Sequence, residues 1–182
     1  MPTTQATTQP PESIESETAR LLATLSAAEI SVFDVERRFP QFSDASKNRL
    51  VADLAHRDQP FLPTPPDPGL LSCLPYVVTS NNKADMIKVF AANLASPLPL
   101  ARKASLQGLA TLEDPRATDF ALRALEDKSD TVVAGAAYML WAAVERDTRI
   151  RPALRATYRA HVTRTDFPES QQLLRAWGMD RP

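Results

Sequence analysis

Apolar residues recur every three or four positions along most of the chain, the spacing that places them on one face of an α-helix. The first such stretch predicts a helix that ends near Leu25. Ser26 and Glu29 have the spacing of a capping box, in which the two side chains bond free backbone N–H groups, so a second helix is predicted to begin there. That helix should stop by Phe39, because Pro40 lacks the N–H needed to continue it.

The first third of the chain also contains a third helix, for which either Ser43 or Asp44 is a suitable cap. The stretch that follows is too dense in proline for a helix or a central strand, and the first residues have too little apolar content to fold. The chain is therefore expected to divide into a disordered tail 1–12, an N-terminal helical cap 13–57, a Pro-rich connector 58–69 and a repeat region 70–182. A chain of 182 residues suits one domain, so cap and repeat region are expected to share it.

The repeat region is predicted to consist of helices joined by short corners. The pattern gives helices over 82–95, 100–112, 117–125, 131–144 and 150–162, and a last one that begins near Asp166 with capping-box spacing and ends before Gly178. The corners are marked by Pro97 and Pro99, by Asp114 with Pro115 at the first helical position, and by 127–130.

Two of these segments resemble each other at an offset of about 32 residues. LARKASLQGL from Leu100 aligns with VVAGAAYMLW from Val132 in a register that the pattern leaves open by one residue. This alignment pairs Ala104 with Ala136, Leu106 with Tyr138 and Leu109 with Trp141. With the proline-turned corner and the Asp-Pro start of the next helix, residues 82–145 resemble HEAT-like repeats of the PBS-lyase type.

The resemblance implies an all-α fold, a short α-solenoid of antiparallel helix pairs with helical caps. In such a stack the second helix of each pair lies on the concave side. Arg102 matches an arginine that the family often has early in the second helix, and Ala134 replaces it in the later copy. The family resemblance implies no reaction.

Composition and charge narrow the function classes. A net charge of -1 gives no global positive field of the kind that draws proteins onto nucleic acid. One cysteine allows no intrachain disulfide, and no stretch has the apolar length of a membrane span or the pattern of a secretory signal, so a cytoplasmic location is expected. Only 4 glycines are present, and none forms a phosphate-binding loop.

Few residues suggest catalysis. Cys73 with His56 or His161 is a conceivable nucleophile and base, but Cys73 stands in the apolar run LLSCLPYVV and is interpreted as an inert buried thiol. Two histidines and one cysteine without close spacing do not suggest a zinc site. We therefore expect no catalytic residue, no metal and no cofactor.

Two features are candidates for partner binding. Tyr138 and Trp141 are residue types that anchor interfaces, although the alignment with Leu106 and Leu109 favours packing inside the protein.

Arg151, Arg155 and Arg159 follow four-residue spacing on one helix and form either a docking stripe for phosphates or an acidic partner, or a solvated face. The solvated face is the favoured interpretation of the two.

The sequence thus favours a non-catalytic protein–protein interaction module, such as an adaptor, a chaperone-like factor or an inhibitor. Its candidate partner-binding residues are Arg102, Tyr138, Trp141, Arg151, Arg155 and Arg159. One alternative is a HEAT-like protein that binds nucleic acid or phosphate through the arginine helix. A second alternative is an enzyme resembling the HEAT-like lyases that attach bilin pigments. The oligomeric state is left open.

Overall fold

A computed structural model describes residues 12–26, 37, 39–56 and 68–181. All regular secondary structure in these residues is helical, which confirms the expected all-α class. The α-helices are α1 Ile14–Leu25, α2 Asp44–Ala55, α3 Pro68–Cys73, α4 Lys83–Asn93, α5 Pro99–Thr111, α6 Ala117–Ala124, α7 Asp130–Trp141, α8 Ile150–His161 and α9 Pro168–Ala176. Two short 3₁₀ helices cover Phe39–Gln41 and Leu74–Val77.

Several predicted helix ends are confirmed. Helix α1 ends at Leu25, and the Ser43 hydroxyl caps α2 by accepting the Ser46 backbone N–H at 3.3 Å. Helix α3 begins at Pro68, inside the stretch expected to be an extended connector, because proline is tolerated in the first turn of a helix. The predicted second helix with its capping box falls mostly on residues 27–36, which lie outside the described residues.

The start of α9 corrects one prediction. Asp166 does not cap this helix, because its carboxylate is paired with Arg164 at 2.6 Å. The cap comes from Asp130 at the start of α7, whose two carboxylate oxygens accept the backbone N–H groups of Glu169 at 2.6 Å and Ser170 at 2.9 Å. A capping residue that lies in another helix, about 40 residues earlier in the sequence, cannot be recognised from the local sequence pattern.

The helices of the C-terminal two thirds pack as pairs that follow one another. Helix α4 contacts α5, α6 contacts α7, and α8 contacts α9. The helices α3, α5, α7 and α9 also contact each other in succession, and we call these four the central row. At the N-terminal end α1 packs on α2 and α3, while α2 packs on α4. The N-terminal helices are therefore joined to the pairs by direct packing.

Two apolar clusters fill the interior. The first extends from Leu21 in α1 to Ala117 and includes Cys73, and the second extends from Leu106 to Met179. Leu94 and Phe120 pack against both clusters. The apolar interior therefore runs without a break from the N-terminal helices to α9.

One ion pair ties the corner before α5 to the corner before α7. The Arg102 guanidinium, 9% exposed, bonds both carboxylate oxygens of Asp127 at 2.8 and 2.7 Å, and donates to the Ser96 carbonyl at 2.8 Å. Burial alone would raise the pKa of the Asp127 carboxyl, but the hydrogen bonds from Arg102 and the Ser129 backbone N–H outweigh it and lower that pKa. The ion pair therefore stabilises the junction between two consecutive helix pairs.

Breaking this pair should cost stability. Arg102→Met leaves the Asp127 carboxylate without its cation, and Asp127→Asn leaves the Arg102 guanidinium without its anion. Each substitution should therefore lower the free energy of unfolding by about 3 kcal/mol. The double variant should lose much less than the sum of the two. The control is Arg49→Met, which breaks the exposed Arg49–Asp53 pair and should change stability by less than about 1 kcal/mol. Urea denaturation measures all four, and an additive double variant would contradict the coupling.

Two helical glycines differ in what surrounds them. At Gly108 in α5 an added Cβ would overlap the ring of Phe90, which is fully buried in α4. At Gly135 in α7 the nearest atom would be Lys103 Cγ at 2.9 Å, on a flexible side chain that is able to move. The first glycine therefore sets the approach of α4 to α5, whereas the second only accommodates the lysine.

Alanine substitution should separate these two roles. Gly108→Ala should destabilise the protein by about 1–3 kcal/mol or more, because the Phe90 ring has no room to retreat. Gly135→Ala should be neutral or stabilising by up to about 1 kcal/mol, because alanine is the better helix former and Lys103 swings aside. Thermal and urea denaturation of the two variants measures the difference, and equal effects would contradict this view of the α4–α5 contact.

His161, at the corner between α8 and α9, is buried without a partner for Nδ1 among the described residues. Its ring lies 4.1 Å from the Phe167 ring, centroid to centroid. Burial, with the nearby Arg164 charge, lowers the pKa of the imidazole, and the carboxylates of Asp130 and Asp166 only partly offset this. The folded protein therefore holds His161 neutral at pH values where the unfolded chain protonates it.

Acidification should consequently destabilise the wild type through His161. The unfolded imidazole gains a proton as the pH falls through about 6.5, while the folded one resists, so stability is lost below that pH. His161→Gln should remove up to about 1 kcal/mol of this loss between pH 7 and 5. His56→Gln, at an exposed imidazole, is the control. Thermal melts across this range measure the slope, and an unchanged slope in His161→Gln would contradict the assignment.

Candidate functional site

The described residues contain no group of three or more His, Cys, Asp or Glu residues that is arranged to hold a metal ion. Cys73 lies in the first apolar cluster, His161 faces Phe167 at the α8–α9 corner, and His56 lies exposed at the end of α2. No helix in the described ranges is long and apolar enough to cross a membrane.

A broad concave surface follows the central row. A depression of about 870 Å³ is lined by the end of α5, the start of α6, the end of α7 and the 3₁₀ helix after α3. A second one, of about 390 Å³, is lined by α5, α7 and α9. Gln107 and Tyr138 belong to both, so the two are continuous. We call this joint surface the groove.

Tyr138 stands in the middle of the groove and is 67% exposed. The interpretation that Tyr138 packs inside the protein is therefore wrong. Helix α5 begins at Pro99 and α7 at Asp130, so the two copies lie 31 residues apart. In that register the exposed Tyr138 matches the exposed Gln107.

The burial of the neighbouring positions agrees with the same register. Leu106 then matches Ala137, and Leu109 matches Leu140, all four of which are buried. At an offset of 32 residues the buried Leu106 is instead paired with the exposed Tyr138, so a shift of one residue pairs the buried side of α5 with the exposed side of α7. The alignment at an offset of 32 residues is therefore one residue away from the register that the two helix starts give.

Trp141 has a different environment. Its ring stacks on that of Trp177 with the centroids 4.7 Å apart and the planes 2° from parallel. The Arg151 guanidinium lies 5.9 Å from the centre of the Trp141 ring, and Arg151 also pairs with Glu145 at 2.9 Å. This stack joins the end of α7 to the end of α9, so Trp141 is half-buried in a contact between helices.

Uncharged polar side chains line the groove beside Tyr138. Gln107 on α5 and Gln172 on α9 are exposed, and Tyr76 in the 3₁₀ helix after α3 is 43% exposed. The side chains of Gln107, Tyr138 and Gln172 make no hydrogen bond to any described residue. These groups are therefore available to a ligand.

Charged side chains of both signs stand at the edges of the groove. Lys103 and Glu169 line one part, and Glu113 and Arg146 line the other. None of the four forms an ion pair within the described part of the chain. Glu113 ends α5 with φ of 55°, a left-handed conformation that favours glycine. The unpaired charges of the groove balance to zero.

Two other carboxylates at the groove are already neutralised. Asp114 pairs with Arg116 at 2.8 Å, and Asp147 pairs with Arg149 at 2.6 Å. In both cases the hydrogen bonds from the arginine lead the causes that lower the pKa of the carboxyl. The sequences Asp-Pro-Arg and Asp-Thr-Arg each stand directly before a helix, α6 and α8, so these pairs organise corners.

The arginines that the sequence singled out do not form one surface with the groove. Arg102 is buried against Asp127, outside the groove. On α8, Arg151 and Arg155 are half-buried and Arg159 is exposed. The charge of Arg151 is paired with Glu145, which weakens the basic character of the helix.

Comparisons with known proteins add no identification. No protein-family model, no curated protein and no solved structure matches this chain.

The sequence missed Tyr76, Gln107 and Gln172 as candidates for the groove. Gln107 was within reach of the repeat alignment, because a register one residue shorter pairs it with Tyr138. Tyr76 and Gln172 come from elements far apart in the chain, and only packing of the central row brings them to one surface.

Proposed function

We propose that this chain is a non-catalytic protein–protein interaction module and that the groove is its binding surface. The single observation that carries the proposal is the groove itself, which crosses several helices and has Tyr138 67% exposed at its centre. Tyrosine combines a large apolar area with one polar group, so an exposed tyrosine in a concavity is typical of an interface anchor.

The proposal includes a short HEAT-like α-solenoid as the architecture. Its support is the pairing of α4 with α5, α6 with α7 and α8 with α9, together with the successive contacts of the central row. In this arrangement the central row is the concave side that the family resemblance leads us to expect. The N-terminal helices and the α8–α9 pair act as end caps.

The charge distribution favours a protein partner over nucleic acid. A nucleic-acid surface needs several cations that remain free to meet phosphates. In the groove each unpaired cation is matched by an unpaired carboxylate, and on α8 the Arg151 charge is paired with Glu145. The α8 arginines therefore give the nucleic-acid alternative less support, and we rank it second.

Site-specific photo-crosslinking tests the proposal. A photoreactive phenylalanine analogue at position 138 should crosslink a defined protein in the native cells, and the same analogue at Val162, exposed on the end of α8, should not. Tyr138→Ala should reduce recovery of that partner by about tenfold or more, as expected for an interface anchor. Mass spectrometry after washing at low and high salt identifies the product.

Two outcomes would contradict this function. One is equal crosslinking from positions 138 and 162, which would mean that the groove has no specific partner. The other is recovery of nucleic acid that is lost as salt rises, since binding to phosphates weakens steeply with salt. Melting temperatures of the variants, compared with the wild type, guard against loss of binding through unfolding.

A further inference from the structure

Three neighbouring helices each present one uncharged side chain that both donates and accepts hydrogen bonds. These are Gln107 on α5, Tyr138 on α7 and Gln172 on α9, all exposed in the groove. None of these three side chains forms a hydrogen bond with a described residue. The groove therefore offers a row of paired donors and acceptors that runs across the helices.

This chemistry matches a polypeptide main chain. A carboxamide has a carbonyl acceptor and N–H donors on one group, and each peptide bond of an extended strand presents the same combination. An extended chain advances about 3.3 Å per residue, and packed helices lie about 8–10 Å apart, so about three residues separate successive rows. A phosphate, in contrast, only accepts hydrogen bonds and needs cations.

Small residues line part of the groove and leave room for such a chain. They are Ala134 and Gly135 on α7 and Ala176 on α9, beside the larger Leu173. The Lys103 side chain lies across Gly135 at the rim. The wider part beside Tyr138 leaves room for a side chain of the occupant.

Charge restricts the occupant further. The unpaired cations Lys103 and Arg146 are balanced by the unpaired carboxylates of Glu113 and Glu169. A strongly acidic or strongly basic segment would meet as much repulsion as attraction. The balance favours a segment of low net charge.

We propose that the groove binds an extended peptide segment of low net charge from a protein partner, with Gln107 and Gln172 bonding its main-chain amides and Tyr138 packing on one of its side chains. This inference rests on the proposed function and narrows it to one kind of partner.

Selection of linear peptides by the full-length protein tests the inference. The probe is a phage-displayed library of unconstrained peptides of about twelve residues, enough to cross the three helices. Fluorescence anisotropy then measures binding of a selected peptide. Gln107→Ala and Gln172→Ala should each weaken binding about fivefold to tenfold, and Tyr138→Ala at least about tenfold. Gln41→Ala, at an exposed glutamine in the first 3₁₀ helix, is the matched control and should change nothing.

Main-chain recognition has its own readout. Replacing single amides of the selected peptide by esters removes one N–H donor at a time, and it should weaken binding at two positions. The penalty at one of them should disappear in Gln107→Ala and at the other in Gln172→Ala. Equal penalties in the wild type and both glutamine variants would overturn the proposed role of the carboxamides.

The remaining outcomes separate failure of the inference from failure of the proposed function. Failure to select any peptide that prefers the wild type over Tyr138→Ala overturns the inference, as does selection of acidic peptides alone whose binding is lost with salt. If position 138 still crosslinks a protein in cells while no linear peptide binds, the partner is a folded surface and only the inference fails. If position 138 crosslinks no protein, the proposed function itself fails.

Discussion

Helix α7 is apolar on almost every side, and the rest of the C-terminal structure depends on covering it. Val132, Val133, Ala136, Ala137 and Leu140 are all at most 1% exposed, because α5, α6 and α9 pack around the helix. A helix of this kind has no stable position on a protein surface. The requirement to bury it therefore places α7 inside the stack, with one neighbour of the central row on each side.

The groove forms on the side of α7 that the neighbouring helices leave uncovered. The small residues of α7 allow the neighbouring helices to pack closely, while Tyr138 remains 67% exposed. The position equivalent to Tyr138 in α5 is Gln107, which is also exposed. Helices α5 and α7 thus bury one set of matching positions and leave the next set exposed on a common surface.

A structural feature could be predicted from the sequence when the residues that cause it are close together along the chain. Helix ends set by neighbouring residues, such as Leu25 and the Ser43 cap, were predicted correctly, since their signals are local. The cap of α9 was not, because Asp130 comes from another helix. The exposed position of Tyr138 was missed through a one-residue error in repeat register, which in a helix turns a side chain by about 100°. The remaining groove residues could not be predicted, because only the packing of the central row brings them to one surface.

The corners explain why the groove is electrically balanced. Asp114, Asp127 and Asp147 stand at successive corners, and each is bonded by an arginine, so these charges are used to hold the chain in place. Arg102 belongs to this set, so its guanidinium is bonded to Asp127 and does not face the groove. The groove then contains phenols, carboxamides and equal numbers of unpaired positive and negative charges. With no net charge to attract a partner from a distance, recognition at this surface has to depend on shape and hydrogen bonding, which are the properties that an extended main chain supplies.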